Sequence, residues 1–373
     1  MALSQTQMPA GPAIRACFIT PAMSSVLDLL RAASAAVVVL GHAWQVGLLA
    51  GPAVVTQLHA HYAVVVFFLV SGLVIGISSA KPGMTLRTYA LDRAVRIFPV
   101  ALLALALSSI LFVLRHGQGA VQWDTPDLAL TAETILYPLL FLTESPQGVL
   151  PVWNPAWWSL SYEVWYYALF GAAVFGRGIT RWPVVAAFAL IAGPPILLLM
   201  PIWLLGVALA LAPQLQRVTP LAGAGLLAMA SVLVVLVGRG DMDALAWLEH
   251  VSPIALVNSL NVIGDSLLGL ALFLALIGLR PLLPAGEWPR SSAGRALRWA
   301  AGMTFTTYLV HVPLLMGLES FYIRDLTLLP GLAALAAVLC ACAALAGLVE
   351  RRTPRWRRLL DRPRTLVGAP LPA

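Results

Sequence analysis

Charge is scarce in this chain: Asp, Glu, Lys and Arg make up 10% of its 373 residues, whereas 60% are hydrophobic. Soluble domains carry about a quarter charged residues, so this composition, with a mean hydropathy of +0.88, excludes a soluble enzyme and indicates a polytopic membrane protein. Cysteine is nearly absent as well. Cys17, Cys340 and Cys342 are too few and wrongly spaced for a disulfide framework or a CxxC metal site. No HExxH or Cys/His ligand spacing occurs, so no metal is expected. Residues 1–25 lack a basic stretch leading a compact apolar segment, and read as a poorly ordered cytoplasmic N-terminus rather than a cleavable signal. A long polar block is also missing, which leaves no room for an appended soluble domain. The membrane bundle is expected to carry the function.

What is present is a series of apolar runs near 26–49, 62–80, 97–114, 159–176, 183–199, 201–213, 219–238, 258–279, 300–320 and 329–349. The expected fold is therefore all-α, with about ten transmembrane helices enclosing an intramembrane cavity. A further run at 132–143 is short for a span. If it does not cross, both termini fall on one side, and the basic residues segregate. Lys81, Arg87, Arg93, Arg96, Arg177, Arg181, Arg217, Arg280, Arg290, Arg295, Arg298 and the tail at 351–373 then lie on that side, with only Arg115, Arg239 and Arg324 opposite. Basic loops stay cytoplasmic, so both termini are expected there, with residues 26–350 as the membrane domain. The net charge of +7 thus reflects topology and not a nucleic-acid partner.

Polar residues inside apolar spans are costly and mark functional candidates. Arg31 and His42 lie eleven positions apart in the first run, on one helix face and roughly 16 Å apart along it. Arg31 could instead snorkel beside Asp28, and a lone buried His is often simply bonded to a carbonyl. Ser71-Gly72 sits in mid-helix, where small residues usually serve close packing. Arg93 and Arg96 stand at i, i+3 near a cytoplasmic boundary; they suit either topological anchoring or bidentate grip on phosphate. Glu163 follows Ser159 by four residues within an aromatic belt, and needs a basic partner. Tyr308 and His311 share a face at i, i+3. In the ten-span arrangement His42, Ser71, Glu163 and His311 converge on one cavity, with the arginine pair at its cytoplasmic mouth. His59, His61, His116 and His250 read as solvated in outer loops.

Taken in order, five stretches resemble the acyltransferase 3 family of integral membrane acyltransferases: "LDLLRAASAAVVVLGH", "VVVFFLVSGLVIG", "RAVRIFP", "WSLSYEVWYY" and "TFTTYLVHVP". Thr304 and Phe305 depart from the family's Ser-Tyr pair, which puts the role of position 305 in doubt. The resemblance implies transfer of an acyl group, acetyl first among the options, from cytosolic acyl-CoA to a hydroxyl of a carbohydrate or glycolipid. It implies a bacterial inner (cytoplasmic) membrane protein in contact with membrane lipids. On this reading His42 is the general base or carries the acyl group as an acyl-histidine, Glu163 orients it or stabilises its imidazolium, and Arg31 holds the pantetheine end or offsets Glu163; Arg93 and Arg96 bind the donor; and Ser71, Trp158, Ser159, Tyr308 and His311 bind substrate. A secondary transporter with an intramembrane His/Glu/Arg proton relay is the alternative from another class, but it predicts an internal repeat, and none is convincing. Within the family, a small lipophilic acceptor such as a macrolide competes with a surface glycan.

Overall fold

The computed structural model describes residues 18–49, 60–118, 124–239, 256–284, 291–321 and 323–360. Among these residues the architecture is all-α, an isolated bridge between Leu49 and Leu326 being the extended pairing found. The helices are α1 (Pro21–Gln45), α2 (Ala60–Ser79), α3 (Leu86–Arg115), the short α4 (Glu133–Leu139), α5 (Trp158–Phe175), α6 (Arg181–Leu211) and α7 (Pro220–Arg239). They continue with α8 (Val262–Leu279), α9 (Ser292–Ala301), α10 (Thr304–Glu319), α11 (Leu328–Leu348) and α12 (Thr353–Leu360). Local chemistry sets several starts. Thr20 accepts the Met23 N–H at 3.1 Å ahead of Pro21, Thr85 accepts from Thr88 at 3.2 Å, and Ser291 accepts from Gly294 at 3.3 Å.

Contacts between loops fix which helix ends lie together. The Gly47 and Leu48 carbonyls after α1 accept from the Asp325 and Leu326 N–H groups after α10, at 2.9 and 3.0 Å, so α1 and α10 run parallel. At the opposite end Arg280, following α8, donates to the Phe18 carbonyl at 3.2 Å and the Gln216 carbonyl at 2.8 Å. There also Tyr89 of α3 packs on Phe175 at the end of α5, and Arg357 of α12 pairs with Asp92 at 2.5 Å.

Helix α6 departs from the two expected runs at 183–199 and 201–213. Its break falls at Gly193, with φ 77° and ψ 170°, and not at residue 200. Arg181 lies against Gly176 while Ala210 lies against Gly76, so both ends of this 31-residue element are at the same end of the bundle. A straight helix of that length would span roughly 46 Å. The chain therefore folds back at Gly193, where a side chain would be strained and where Pro194 and Pro195 cannot continue the hydrogen-bond ladder. Pro201, the first residue of the second expected run, sits within the returning arm. The expected span at 300–320 is also broken: α9 and α10 meet at 64° across Gly302 and Met303.

Among the described residues seven helices have the length and apolarity of a membrane span, or eight if α9 and α10 form one broken span. That is fewer than the ten expected runs, two of which fall in α6, while the polar residues of α5 lower its hydropathy. The seven residues of α4 are too short to cross. Where α2 meets the returning arm of α6, a Cβ at Gly72 would sit 1.9 Å from the Trp203 carbonyl oxygen and one at Gly206 1.9 Å from that of Leu69. In a bilayer such close backbone approach, rather than hydrophobic exclusion, holds helices together. It draws Ser71 and Trp203 towards α5.

Candidate active site

A cavity of about 230 Å³ opens between α1, α2, α3, α5 and α10. At the end shared with the start of α1 its wall carries Arg31, Arg93, Arg96 and Thr304; deeper in it carries Ser71, Glu163, Ser159 and Tyr308. Three guanidiniums thus face one carboxylate, and the surplus positive charge favours an anionic ligand.

Arg31 donates to Thr304 Oγ1 at 3.1 Å, which ties α1 to the first residue of α10. That first turn is held by Glu350, whose Oε2 accepts from the Thr306 N–H at 2.9 Å and hydroxyl at 2.8 Å. A carboxylate at a helix N-terminus satisfies donors that lack intrahelical partners. Thr304 keeps the hydroxyl of the family's usual serine and uses it to seat Arg31. Phe305 has no hydroxyl, yet its ring lies beneath the Arg96 guanidinium at 5.5 Å, so this position serves through its π-face.

Glu163 is held by two hydroxyls from separate helices. Ser71 Oγ donates to its Oε1 at 2.5 Å, and Tyr167 OH donates to the same oxygen. Trp203 Nε1 donates to Ser71 Oγ at 3.3 Å, and Arg93 lies over the Tyr167 ring at 5.8 Å. The hydrogen bonds place Glu163 with Ser71 and Tyr167. The expected orienting contact of Glu163 on His42 is not made.

His42 meets His311 instead. Its Nδ1 is 2.7 Å from His311 Nε2, with ring centroids 5.0 Å apart and planes within 23°. His311 is fully buried, and its Nδ1 lies 2.9 Å from the Thr307 carbonyl. The pair lies beyond the cavity wall, one turn past Tyr308, whose hydroxyl receives the Ser159 hydroxyl proton at 2.6 Å. Pro313 lacks the N–H that would bond the Leu309 carbonyl, and Asn154 Nδ2 fills that vacancy at 2.9 Å. The "WNPAWW" and "YLVHVP" stretches are thereby joined.

Trp158 is drawn away from the cavity. It stacks on His61 at 5.4 Å and meets Phe68 and Tyr162 edge to face. His61 is not a solvated loop residue: it lies in the first turn of α2 and pairs with the buried Asp265 at 2.8 Å. His116 likewise pairs with Asp124. Burial works to raise the Asp124 carboxyl, but hydrogen bonds from the Gly117 N–H, the Trp153 indole and His116 outweigh it and hold it below the usual carboxylate value. Burial raises Glu144, against hydrogen bonds from Asn258 and Tyr162. His59 and His250 lie outside the described residues.

Sequence reasoning missed Tyr167, Asn154 and Glu350. Tyr167 was accessible to it, standing four residues from Glu163 on the same helix face; Asn154 and Glu350 depend on contacts between distant segments.

The model of the acyltransferase 3 family, described as an acyltransferase domain, matches residues 25–347. Among curated proteins, "Exopolysaccharide production protein ExoZ" of Rhizobium meliloti (strain 1021) is 31% identical over 127 residues, covering 34% of this chain and 38% of that relative. The chain thus matches well under half of that relative's length. No solved structure matches.

Proposed function

The chain belongs to the acyltransferase 3 family, and from that premise we propose that it moves an acyl group, acetyl in the first instance, from cytosolic acyl-CoA to a hydroxyl of a surface or exported glycan. The carbohydrate acceptor is supported by the name of the exopolysaccharide production protein it resembles over 127 residues. The cytosolic donor is supported by the charge of the cavity mouth. In this proposal the protein lies in a bacterial inner membrane, with the end bearing Arg280 and Arg357 facing the cytoplasm and the basic tail there as well.

One observation carries the reading: a cavity with Arg31, Arg93 and Arg96 at one end carries Ser159 and Tyr308 deeper in, and a pair of imidazoles, His42 and His311, lies one turn beyond Tyr308. Guanidiniums suit the phosphates of CoA. A sugar hydroxyl is a poor nucleophile until its proton is taken, and a neutral imidazole is the natural acceptor. His42 is half-buried in an otherwise apolar helix, which limits water, whose attack on the thioester is the competing reaction. Glu163, clamped by Ser71 and Tyr167, faces the arginines and balances part of their charge as the donor enters and leaves.

The test is transfer from radiolabelled acetyl-CoA by purified protein in lipid nanodiscs, with glycan from the host envelope as acceptor. His42→Ala should lower single-turnover transfer by 10² or more, since general bases typically contribute about 10² to 10⁴. Its size-exclusion profile should be unchanged, because removing a neutral buried ring leaves no unpaired charge. A well-folded variant within about tenfold of wild type would refute the general-base role.

A further inference from the structure

A second cavity, of about 740 Å³, opens on the flank of the bundle between α3, the end of α4, α5 and the first arm of α6. That volume is in the range of ligand sites. Phe98, Leu140 and Val184 in its wall are exposed, so it is a trough open at the side of the bundle and not a closed chamber. We propose that it binds one anionic phospholipid, with an acyl chain laid along α5 and the phosphate at Arg177 and Arg181. This goes beyond acyl transfer, and none of the tests below measures transfer.

The floor of the trough follows from the sequence of α5. Ala168, Ala172 and the capping Gly176, at i, i+4 and i+8, share one face, and all three line the trough. Small residues on such a face usually let a neighbouring helix approach closely. Here they leave a space that no side chain fills. From Val164 to Gly176 this wall runs roughly 18 Å. One leaflet of the hydrocarbon core is about 15 Å deep. The trough therefore has the reach of an acyl chain in a single leaflet. Its Gly176 end lies where Tyr89 packs on Phe175, at the end of the bundle where α1 starts.

Charge gathers at that end. Arg93, Arg177 and Arg181 line the trough and, among the described residues, none of them is paired with a carboxylate. Arg181 lies over the Trp182 ring at 4.9 Å and Arg93 over the Tyr167 ring at 5.8 Å, contacts that leave guanidinium N–H groups available. The Nε atoms of Arg93 and Arg181 are buried and lack an acceptor among the described residues. A buried donor without an acceptor is costly, and a phosphate oxygen supplies one in a charge-assisted hydrogen bond. An apolar trough that ends in unneutralised cations matches a molecule with an apolar chain and an anionic head. An uncharged lipid would leave those cations unneutralised.

Native mass spectrometry of the delipidated protein in detergent tests this, with palmitoyl-oleoyl phosphatidylglycerol, phosphatidylcholine of the same chains, and glycerol phosphate as probes. The wild type is expected to retain one phosphatidylglycerol about tenfold more tightly than phosphatidylcholine, as one charge-assisted contact allows. Glycerol phosphate, a head without chains, should not displace it. Arg177→Gln with Arg181→Gln should weaken phosphatidylglycerol binding about tenfold or more. Arg217→Gln with Arg355→Gln removes the same charge from exposed positions outside the trough and should leave binding unchanged. Ala172→Phe puts a ring into the trough without altering charge, and should weaken binding to a similar extent. Arg93 is kept in every variant because it also lines the active-site cavity. A phosphatidylglycerol with a diazirine in its acyl chain should label the wild type within 86–98 or 164–188, which decides the matter even if Ala172→Phe fails to fold. Equal retention of the two lipids, displacement by glycerol phosphate, an equal loss in the control pair, unaltered binding by a folded Ala172→Phe, or labelling confined to other segments would each overturn the proposal.

Discussion

At the scale of single residues, Arg93 and Arg96 show how identical side chains acquire different seats. Arg93 lies over Tyr167 and so beside the Glu163 clamp, whereas Arg96 lies over Phe305 at the foot of α10. In the proposed donor complex, truncating either one removes about 1.5 to 3 kcal/mol of charge-assisted contact with a phosphate. Arg93→Ala or Arg96→Ala is therefore expected to raise the KM for acyl-CoA roughly tenfold or more while leaving acceptor KM nearly unchanged. Lysine should restore only part of the loss, because it lacks the planar fork and the ring contact. Steady-state kinetics with donor and acceptor varied separately check this. Unchanged donor kinetics in the double alanine variant would return both arginines to the role of topological anchors.

At the scale of elements, the approach of α2 to the returning arm of α6 decides where Ser71 and Trp203 stand. Gly72→Ala drives a methyl group into the Trp203 carbonyl, and overpacking of this kind costs about 1 to 3 kcal/mol. Gly225 in α7 is a control, since a Cβ there meets nothing within 4 Å. The expected outcome is a clear drop in the thermal midpoint of the detergent-solubilised protein for Gly72→Ala and no drop for Gly225→Ala. Fluorescence-detected size exclusion after graded heating measures both. An unaltered midpoint for Gly72→Ala would mean that the two helices separate without penalty. The break at Gly193 belongs to this scale too. Hydropathy separated the runs 183–199 and 201–213, but α6 carries Pro183 in its first turn and Pro194, Pro195 and Pro201 further in. Only the fold-back shows that Pro194 and Pro195 follow the turn while Pro201 is carried within the helix.

At the scale of the whole molecule, the fold-back at Gly193 and the pairing of Arg357 with Asp92 put the start of α1 and α12 at one end. In the proposed orientation, which rests on the segregation of Arg and Lys, that end faces the cytoplasm. In a variant whose native cysteines are replaced, a cysteine placed within 85–95 or after 351 should be shielded from a membrane-impermeant thiol reagent in intact cells. One placed within 144–152 should be labelled. Labelling of the tail from outside would reverse the orientation and separate the arginines from any cytosolic donor.

Hydropathy, the scarcity of charge and five ordered motifs were enough to determine a helical membrane bundle, its family and the residues worth suspecting. These properties are local: a span needs only its own apolar length, and a motif only its own spacing. Tertiary structure alone decided the pairings. It gave His42 to His311 and Glu163 to Ser71 and Tyr167; it drew Trp158 to His61; and it brought Asn154 and Glu350 to the backbone of α10. The physical reason is that a buried polar group must find a partner, while which partner it finds depends on helix rotation and depth. Those are set by packing between segments far apart in the chain, such as Gly72 against Trp203, which no periodicity within either segment records.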